Sequence, residues 1–236
     1  DELPNMKHDI ITNVAGAAPQ SGADLARYMC DLIKQQKLEP HASFNALSHL
    51  TLKLLDEAPQ QAAEIAAIVS HEIADDMPEL VAKIAVLAAQ AAPDQRVEIA
   101  TSVTQEVPDA SVEIATGVAE TIAASPDEEL HTFLASEEDE NYVGEGAELA
   151  IALGQEAPSQ AFDIATAVAE VLPEDAAQVA ESIAQTDPEH ASDLVDSISE
   201  VVPEMADDVM YAVARSLPEQ AEELLQEVLS DAESNQ

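Results

Sequence analysis

Carboxylates are the side chains most able to do chemistry in this chain of 236 residues, with 48 Asp and Glu against 8 Lys and Arg. The densest run is Glu137, Glu138, Asp139 and Glu140. Hard cations such as Ca²⁺ prefer carboxylate oxygens as ligands, so this run is the candidate metal site and calcium its candidate ligand. The ligand spacing of an EF-hand is absent. Four consecutive acids indicate a solvated loop first, and a low-affinity metal site is the other interpretation that stays open.

Other reactive side chains show no catalytic pattern. The chain has no HExxH motif, no G-x-S-x-G elbow and no glycine-rich phosphate loop. The carboxylates are too many and too regular to single out one acid–base pair. We therefore predict that the chain is not an enzyme, and that its histidines lie on the surface or at an interface. The histidines are His8, His41, His49, His71, His131 and His190.

Cys30 is the only cysteine of the chain, which excludes an intrachain disulfide and a cysteine-rich metal site. It falls on an apolar position of the helical pattern described next. Two interpretations stay open, a buried structural thiol and an intersubunit disulfide.

Prolines recur every fifteen residues and divide the chain into similar segments. Apolar residues follow each proline at the third, fourth, sixth, seventh, tenth, eleventh and fourteenth positions, which is helical periodicity. Proline suits the first turn of a helix, and an acid often follows it, where the helix dipole favours negative charge. The regular prolines are Pro78, Pro93 and Pro108, then Pro158, Pro173, Pro188, Pro203 and Pro218.

The spacing predicts an all-α fold, an α-solenoid of about fourteen short helices in one repeat domain over residues 1–236. One unit lacks a proline and starts at Val143, and residues 126–142 form an irregular segment. The apolar positions span an arc of about 160°, so each helix must be packed between others. The predicted starts are residues 4, 19, 40, 59, 78, 93, 108, 126, 143, 158, 173, 188, 203 and 218.

The repeated helices make the chain similar in architecture to helical-hairpin solenoids of the HEAT and TPR type. No fifteen-residue unit could bury its apolar face alone, which is the property that makes such units stack. The resemblance implies the fold only, because those repeats are about two to three times as long and the TPR signature residues are absent.

The net charge of −40 is unevenly distributed. Residues 1–100 hold 15 acids and 7 bases, whereas residues 101–236 hold 33 acids and one base, Arg215. Such a field repels nucleic acid and anionic membranes, and no apolar run is long enough for a membrane span. Because the chain begins with Asp1 rather than Met, we expect an exported protein: secreted, at the cell surface or periplasmic.

Acids also recur at the fifth position of the repeat, and stacked helices about 8–10 Å apart would align them in rows. Three interpretations stay open: a solvated face suited to salt, weak calcium binding between repeats, and a surface that docks a basic partner or imitates DNA. The acids are Glu64, Glu98, Glu113, Glu148, Asp163, Asp193, Asp208 and Glu223.

Both terminal units carry apolar residues without a polar cap, although isolated repeat proteins need one. Stacking of the first unit on the last unit of another copy would give a filament. The leading prediction is therefore a structural protein that assembles end to end or scaffolds a surface; the alternatives are a monomeric module that binds a protein or peptide, and an acidic calcium-binding matrix protein. The predicted assembly interface is Ile10, Ile11 and Val14 with Leu224, Leu225, Val228 and Leu229.

Overall fold

The computed structural model describes residues 22–36, 40–125, 143–219 and 221, and this part of the chain contains eleven α-helices and no β-strand. We number the helices in chain order. They are α1 (Gly22–Gln36), α2 (Pro40–Glu57), α3 (Ala62–Ala74), α4 (Val81–Ala91), α5 (Arg96–Glu106), α6 (Ser111–Ala123), α7 (Glu145–Glu156), α8 (Ala161–Val171), α9 (Ala176–Thr186), α10 (Ala191–Val201) and α11 (Ala206–Ser216).

These helices occupy the predicted repeat units, and the all-α repeat fold is confirmed. The unit without a proline is confirmed as well, because Val143 is followed by α7. The helices predicted after Pro4, Pro126 and Pro218 fall on residues that are not described, apart from residues 218, 219 and 221.

The repeat length follows from the way proline ends one helix and starts the next. Pro93 begins a 3₁₀ turn, Pro93–Gln95, and α5 continues from the following residue. Proline therefore starts the helical segment as predicted, and the first turn of that segment is a 3₁₀ turn. A residue before proline is pushed out of the α region, and Ala92, with φ −132° and ψ 74°, ends α4. The carbonyl of Ala92 accepts the N–H of Gln95 at 3.0 Å. The same turn begins at Pro59, Pro78, Pro108, Pro158, Pro173, Pro188 and Pro203.

Helices of the same compact unit pack on the next helix and on the one after it, which produces two layers in each unit. The chain divides into two compact units, unit 1 (residues 1–121) and unit 2 (residues 122–236). In unit 1, α1 packs on α3, α3 on α5, and α2 on α4; in unit 2, α7 packs on α9, α9 on α11, and α8 on α10. Within each unit, odd-numbered helices therefore form one layer, the odd layer, and even-numbered helices form the even layer.

The apolar positions of the repeat form the core of each unit. In α8, Ile164, Ala165, Val168 and Ala169 are fully buried, whereas the acid at the fifth position, Asp163, is exposed. Burial of an aliphatic side chain the size of valine or larger contributes about 1.5–3 kcal/mol. The buried face predicted from the periodicity is therefore confirmed at the sixth, seventh, tenth and eleventh positions, whereas the fourth position, which is Phe162 in this repeat, is half-buried.

The first turn of α7 is capped by the start of another helix. Its Gly146 N–H donates to Oδ2 of Asp175, and the preceding Gly144 N–H donates to Oε1 of Gln178, both at 2.8 Å. Asp175 ends the turn before α9, which packs on α7 in the odd layer. A Cβ at Gly146 would lie 2.5 Å from that Asp175 oxygen and 2.6 Å from Cδ1 of Leu172, so a larger residue at this position would displace both side chains.

Candidate functional site

The residues predicted to bind calcium or to form the assembly interface lie outside the described part of the chain. Residues 126–142 include the acidic run Glu137–Glu140, and residues 1–21 and 222–236 include all seven predicted interface residues. The calcium site and the end-to-end interface therefore stay predictions.

The described acids at the fifth position are exposed, as the repeat pattern indicates, and Glu223 lies outside the described residues. Glu64, Glu98, Glu113, Glu148 and Asp163 all point their side chains to solvent. Among the described residues, however, no group of three or more His, Cys, Asp and Glu side chains is close enough together to hold a metal ion. The acids thus form a charged surface without a described metal centre.

Basic side chains join neighbouring helices of the odd layer. Two ion pairs of this kind connect α1 to α3 and α9 to α11, and a histidine–glutamate contact, which is an ion pair only when the histidine is protonated, connects α3 to α5. Such partly exposed pairs each contribute about 0–1 kcal/mol, and they leave few cations to offset the exposed acids. The pairs are Lys34 with Glu72 (2.6 Å), His71 with Glu106 (2.9 Å) and Arg215 with Glu181 (2.8 Å).

A cleft of about 520 Å³ lies in unit 2. It is formed by the second half of α7, the start of α8, the end of α9 and the turn before α10. Ile151 and Ile183 supply apolar surface, and Gln155 and Thr186 supply polar groups. A space of this size and mixed lining suits one or two side chains of a partner, or a small molecule.

Two aromatic rings line the cleft and contact each other. Phe162 on α8 and His190 before α10 meet edge to face, with ring centroids 5.9 Å apart and an interplanar angle of 74°. In the regular fifteen-residue repeats, the fourth position otherwise holds only Ala, Val, Ser, Asp or Glu, and the second position holds no other histidine. The packing of the repeat therefore requires neither ring.

The cleft carries negative charge. Asp163 and Asp187 both line it, and within the described part of the chain no cation pairs with Asp163. Nδ1 of His190 lies 3.1 Å from each carboxylate oxygen of Asp187, and this hydrogen bond raises the pKa of His190 above its ordinary value. The single Arg of unit 2, Arg215, is engaged with Glu181. Among the side chains that line the cleft, only His190 can offset the two carboxylates.

A second groove, of about 560 Å³, lies in unit 1 between α4 and α6. Val86, Leu87 and Gly117 make it more apolar than the cleft of unit 2, and Lys83 lies beside its acids. It contains no aromatic ring. We therefore do not treat this groove as a second candidate site, because it lacks the aromatic residues that distinguish the cleft of unit 2.

The structure supports the interpretation of Cys30 as a buried thiol. Its side chain is 1% exposed on α1, and burial raises the pKa of the thiol to about 12. The surface positions predicted for histidine are confirmed for the three whose side chains are described, His49, His71 and His190.

Sequence reasoning did not identify the cleft. Phe162 occupies the fourth position after Pro158, which the apolar pattern assigns to the core face, but its side chain is only half-buried. It meets a histidine 28 residues away because α8 packs on α10. Comparison of each repeat with the others would have found both rings, since both depart from the residues usual at their positions.

The helices were compared with the requirements of a membrane span, and the chain was compared with known proteins. None of the helices in the described ranges is long and apolar enough to cross a lipid bilayer. No family model, curated protein or solved structure matches this chain.

Proposed function

We propose that this chain is a non-enzymatic interaction protein, an acidic α-solenoid that binds a protein partner through the cleft of unit 2. The observation that carries the proposal is the pair formed by Phe162 and His190. Two departures from the repeat meet in one cleft although the repeat does not need them, and repeat proteins use variable surface positions on a constant scaffold to bind partners.

The surrounding charge also supports binding over catalysis. A partner with basic residues would be attracted by the exposed acids over a distance set by the salt concentration. Buried aromatic contacts would then supply most of the affinity, as at other protein interfaces.

The proposal is tested by selecting short random peptides on the full chain by phage display. Selected peptides are measured by calorimetry against the wild type and against Phe162→Ala. We expect the substitution to weaken binding by about tenfold or more, because it removes an aromatic contact from the cleft.

Two controls make the selection specific. Scrambled peptides of the same composition reveal binding that depends only on charge. Val112→Ala shortens the side chain at the fourth position of a repeat in unit 1 and should leave affinity unchanged. Peptides that bind the wild type and Phe162→Ala equally would contradict the proposal, provided that circular dichroism shows the variant to be folded.

End-to-end assembly is the second candidate function, and the unequal charge of the two parts of the chain favours it. The N-terminal part, which holds 7 of the 8 basic residues, could meet the acidic C-terminal part of another copy. Negative-stain electron microscopy at high concentration, with and without millimolar calcium, tests this candidate. Filaments with a uniform repeat would support it, and discrete particles under both conditions would contradict it.

A further inference from the structure

We infer that the cleft of unit 2 binds an arginine side chain, presented by a basic segment of the partner. This inference rests on the proposed function and names the chemistry that the cleft recognises. It follows from the lining of the cleft, from the charge of unit 2 and from the position of its only arginine.

The charge of unit 2 requires the cation to come from outside that unit. Asp163 on α8 and Asp187 at the end of α9 line the cleft from different helices. Arg215, the one Lys or Arg in residues 101–236, pairs with Glu181 on the odd layer. Unit 2 therefore has no Lys or Arg left to neutralise the two carboxylates of the cleft, and a cation from outside the unit can do so.

The remaining lining selects arginine among cations. A guanidinium group is planar, presents five N–H donors, binds carboxylates through paired hydrogen bonds and packs against aromatic rings. The cleft offers carboxylates, the ring of Phe162, and the oxygens of Gln155 and Thr186 as acceptors. The aliphatic part of an arginine side chain can also contact Ile151 and Ile183. An ammonium group is a compact and strongly hydrated charge that uses fewer of these features.

His190 gives the inference a pH signature. Its imidazole faces Asp187, while Asp163 on α8, Glu189 in the turn and Asp193 on α10 are the other charged groups near it; from α7 the cleft is lined only by uncharged residues. A protonated His190 repels a second cation and occupies Asp187. Binding of arginine should therefore strengthen as the pH rises from about 5.5 to about 8.

The test is an NMR titration of the full chain, labelled at isoleucine δ1 methyl groups and histidine Cε1, with N-acetyl-arginine methylamide. The matching lysine and citrulline compounds serve as comparisons, because citrulline keeps the shape of arginine without its charge. We expect saturable shifts at Ile151, Ile183 and His190 with arginine, weaker shifts with lysine and none with citrulline.

Variants assign the binding to the cleft. Asp163→Asn and Asp187→Asn should each weaken arginine binding about fivefold. Asp208→Asn removes the same charge from the fifth position of α11, outside the cleft, and should have no effect. Equal shifts with citrulline, or equal weakening by all three variants, would overturn the inference.

The two proposals can fail separately. The arginine inference fails alone if the selected peptides require Phe162 for binding but contain no arginine, and if the citrulline compound binds as well as the arginine compound. The cleft then docks a protein partner without recognising arginine. If arginine binds and no peptide depends on Phe162, the cleft recognises arginine without serving as the protein-docking site.

Discussion

Cys30 lies in the interior of α1, where it is 1% exposed and burial raises the pKa of its thiol to about 12. The thiolate is the reactive form of cysteine, so both access and ionisation are suppressed. This environment disfavours the intersubunit disulfide considered from the sequence.

We expect the thiol to be unreactive in the native protein. An aromatic disulfide reagent at neutral pH should label Cys30 in guanidinium chloride and, in the folded state, only at the rate of global or local unfolding. Prompt labelling of the folded chain would show that α1 opens readily or that the thiol is accessible.

His190 is an exposed residue, and its imidazole is held by the carboxylate of Asp187. Its hydrogen bond to Asp187 raises its pKa above the ordinary value. A group whose folded pKa is raised stabilises the fold below its unfolded pKa, and this contribution is lost as the pH rises through the folded pKa. The interaction should therefore support the cleft at acidic to neutral pH and weaken under alkaline conditions.

We predict that Asp187→Asn lowers the pKa of His190 towards that of an ordinary exposed histidine. A pH titration of the histidine Cε1 resonances in both proteins measures this change. Asp208→Asn, which removes the same charge from the exposed fifth position of α11, is the matched control and should leave the pKa of His190 unchanged. An unchanged pKa of His190 would mean that Asp187 does not hold the imidazolium.

At the scale of the helix, proline determines where most helices begin, and contacts with a neighbouring helix cap the one that begins without proline. Proline separates helices by fixing the turn, so the fifteen-residue spacing alone locates most of them. α7 has no proline, and the N–H groups of its first turn find their acceptors in Asp175 and Gln178. Burial raises the pKa of Asp175, while hydrogen bonds from the N–H groups of Gly146 and Ala147 counteract this effect.

We predict that Asp175→Ala lowers the free energy of unfolding by about 1 kcal/mol, the usual cost of losing a helix cap. Asp175→Asn should cost less, because its amide oxygen can still accept the Gly146 N–H. Glu174→Ala is the control, since the neighbouring Glu174 is exposed. Denaturation by urea measures all three, and equal stability of Asp175→Ala and the wild type would show that water replaces the cap without loss.

At the scale of the whole molecule, adaptation to salt and calcium binding would both explain the acidic composition. Thermal unfolding with calcium and with sodium chloride distinguishes these two explanations. If calcium binds, tenfold excess over its dissociation constant should stabilise the fold by about 1.4 kcal/mol. Sodium chloride at the same ionic strength is the control for screening.

Replacement of Glu137, Glu138 and Glu140 by Gln and of Asp139 by Asn locates the calcium effect. Loss of the calcium-specific stabilisation in this variant would confirm the predicted site. Stabilisation that calcium and sodium chloride produce equally would indicate screening of the acidic surface instead.

The sequence by itself determined the helical repeat, its boundaries and its exposed acids. These properties are local: proline fixes φ and excludes the preceding residue from the α region, and the period of apolar residues selects the buried face of each helix. A chain with the same fifteen-residue pattern would form the same helices wherever they packed.

Only the tertiary structure decided which distant residues meet. Phe162 reaches His190, and Asp175 reaches Gly146, because α8 packs on α10 and α7 packs on α9, in each case the second neighbour along the chain. That choice depends on the angle through which each proline turn directs the next helix and on how the short buried side chains fit together. Neither the angle of the turn nor the fit of the side chains can be predicted from the spacing of the prolines or from the period of the apolar residues.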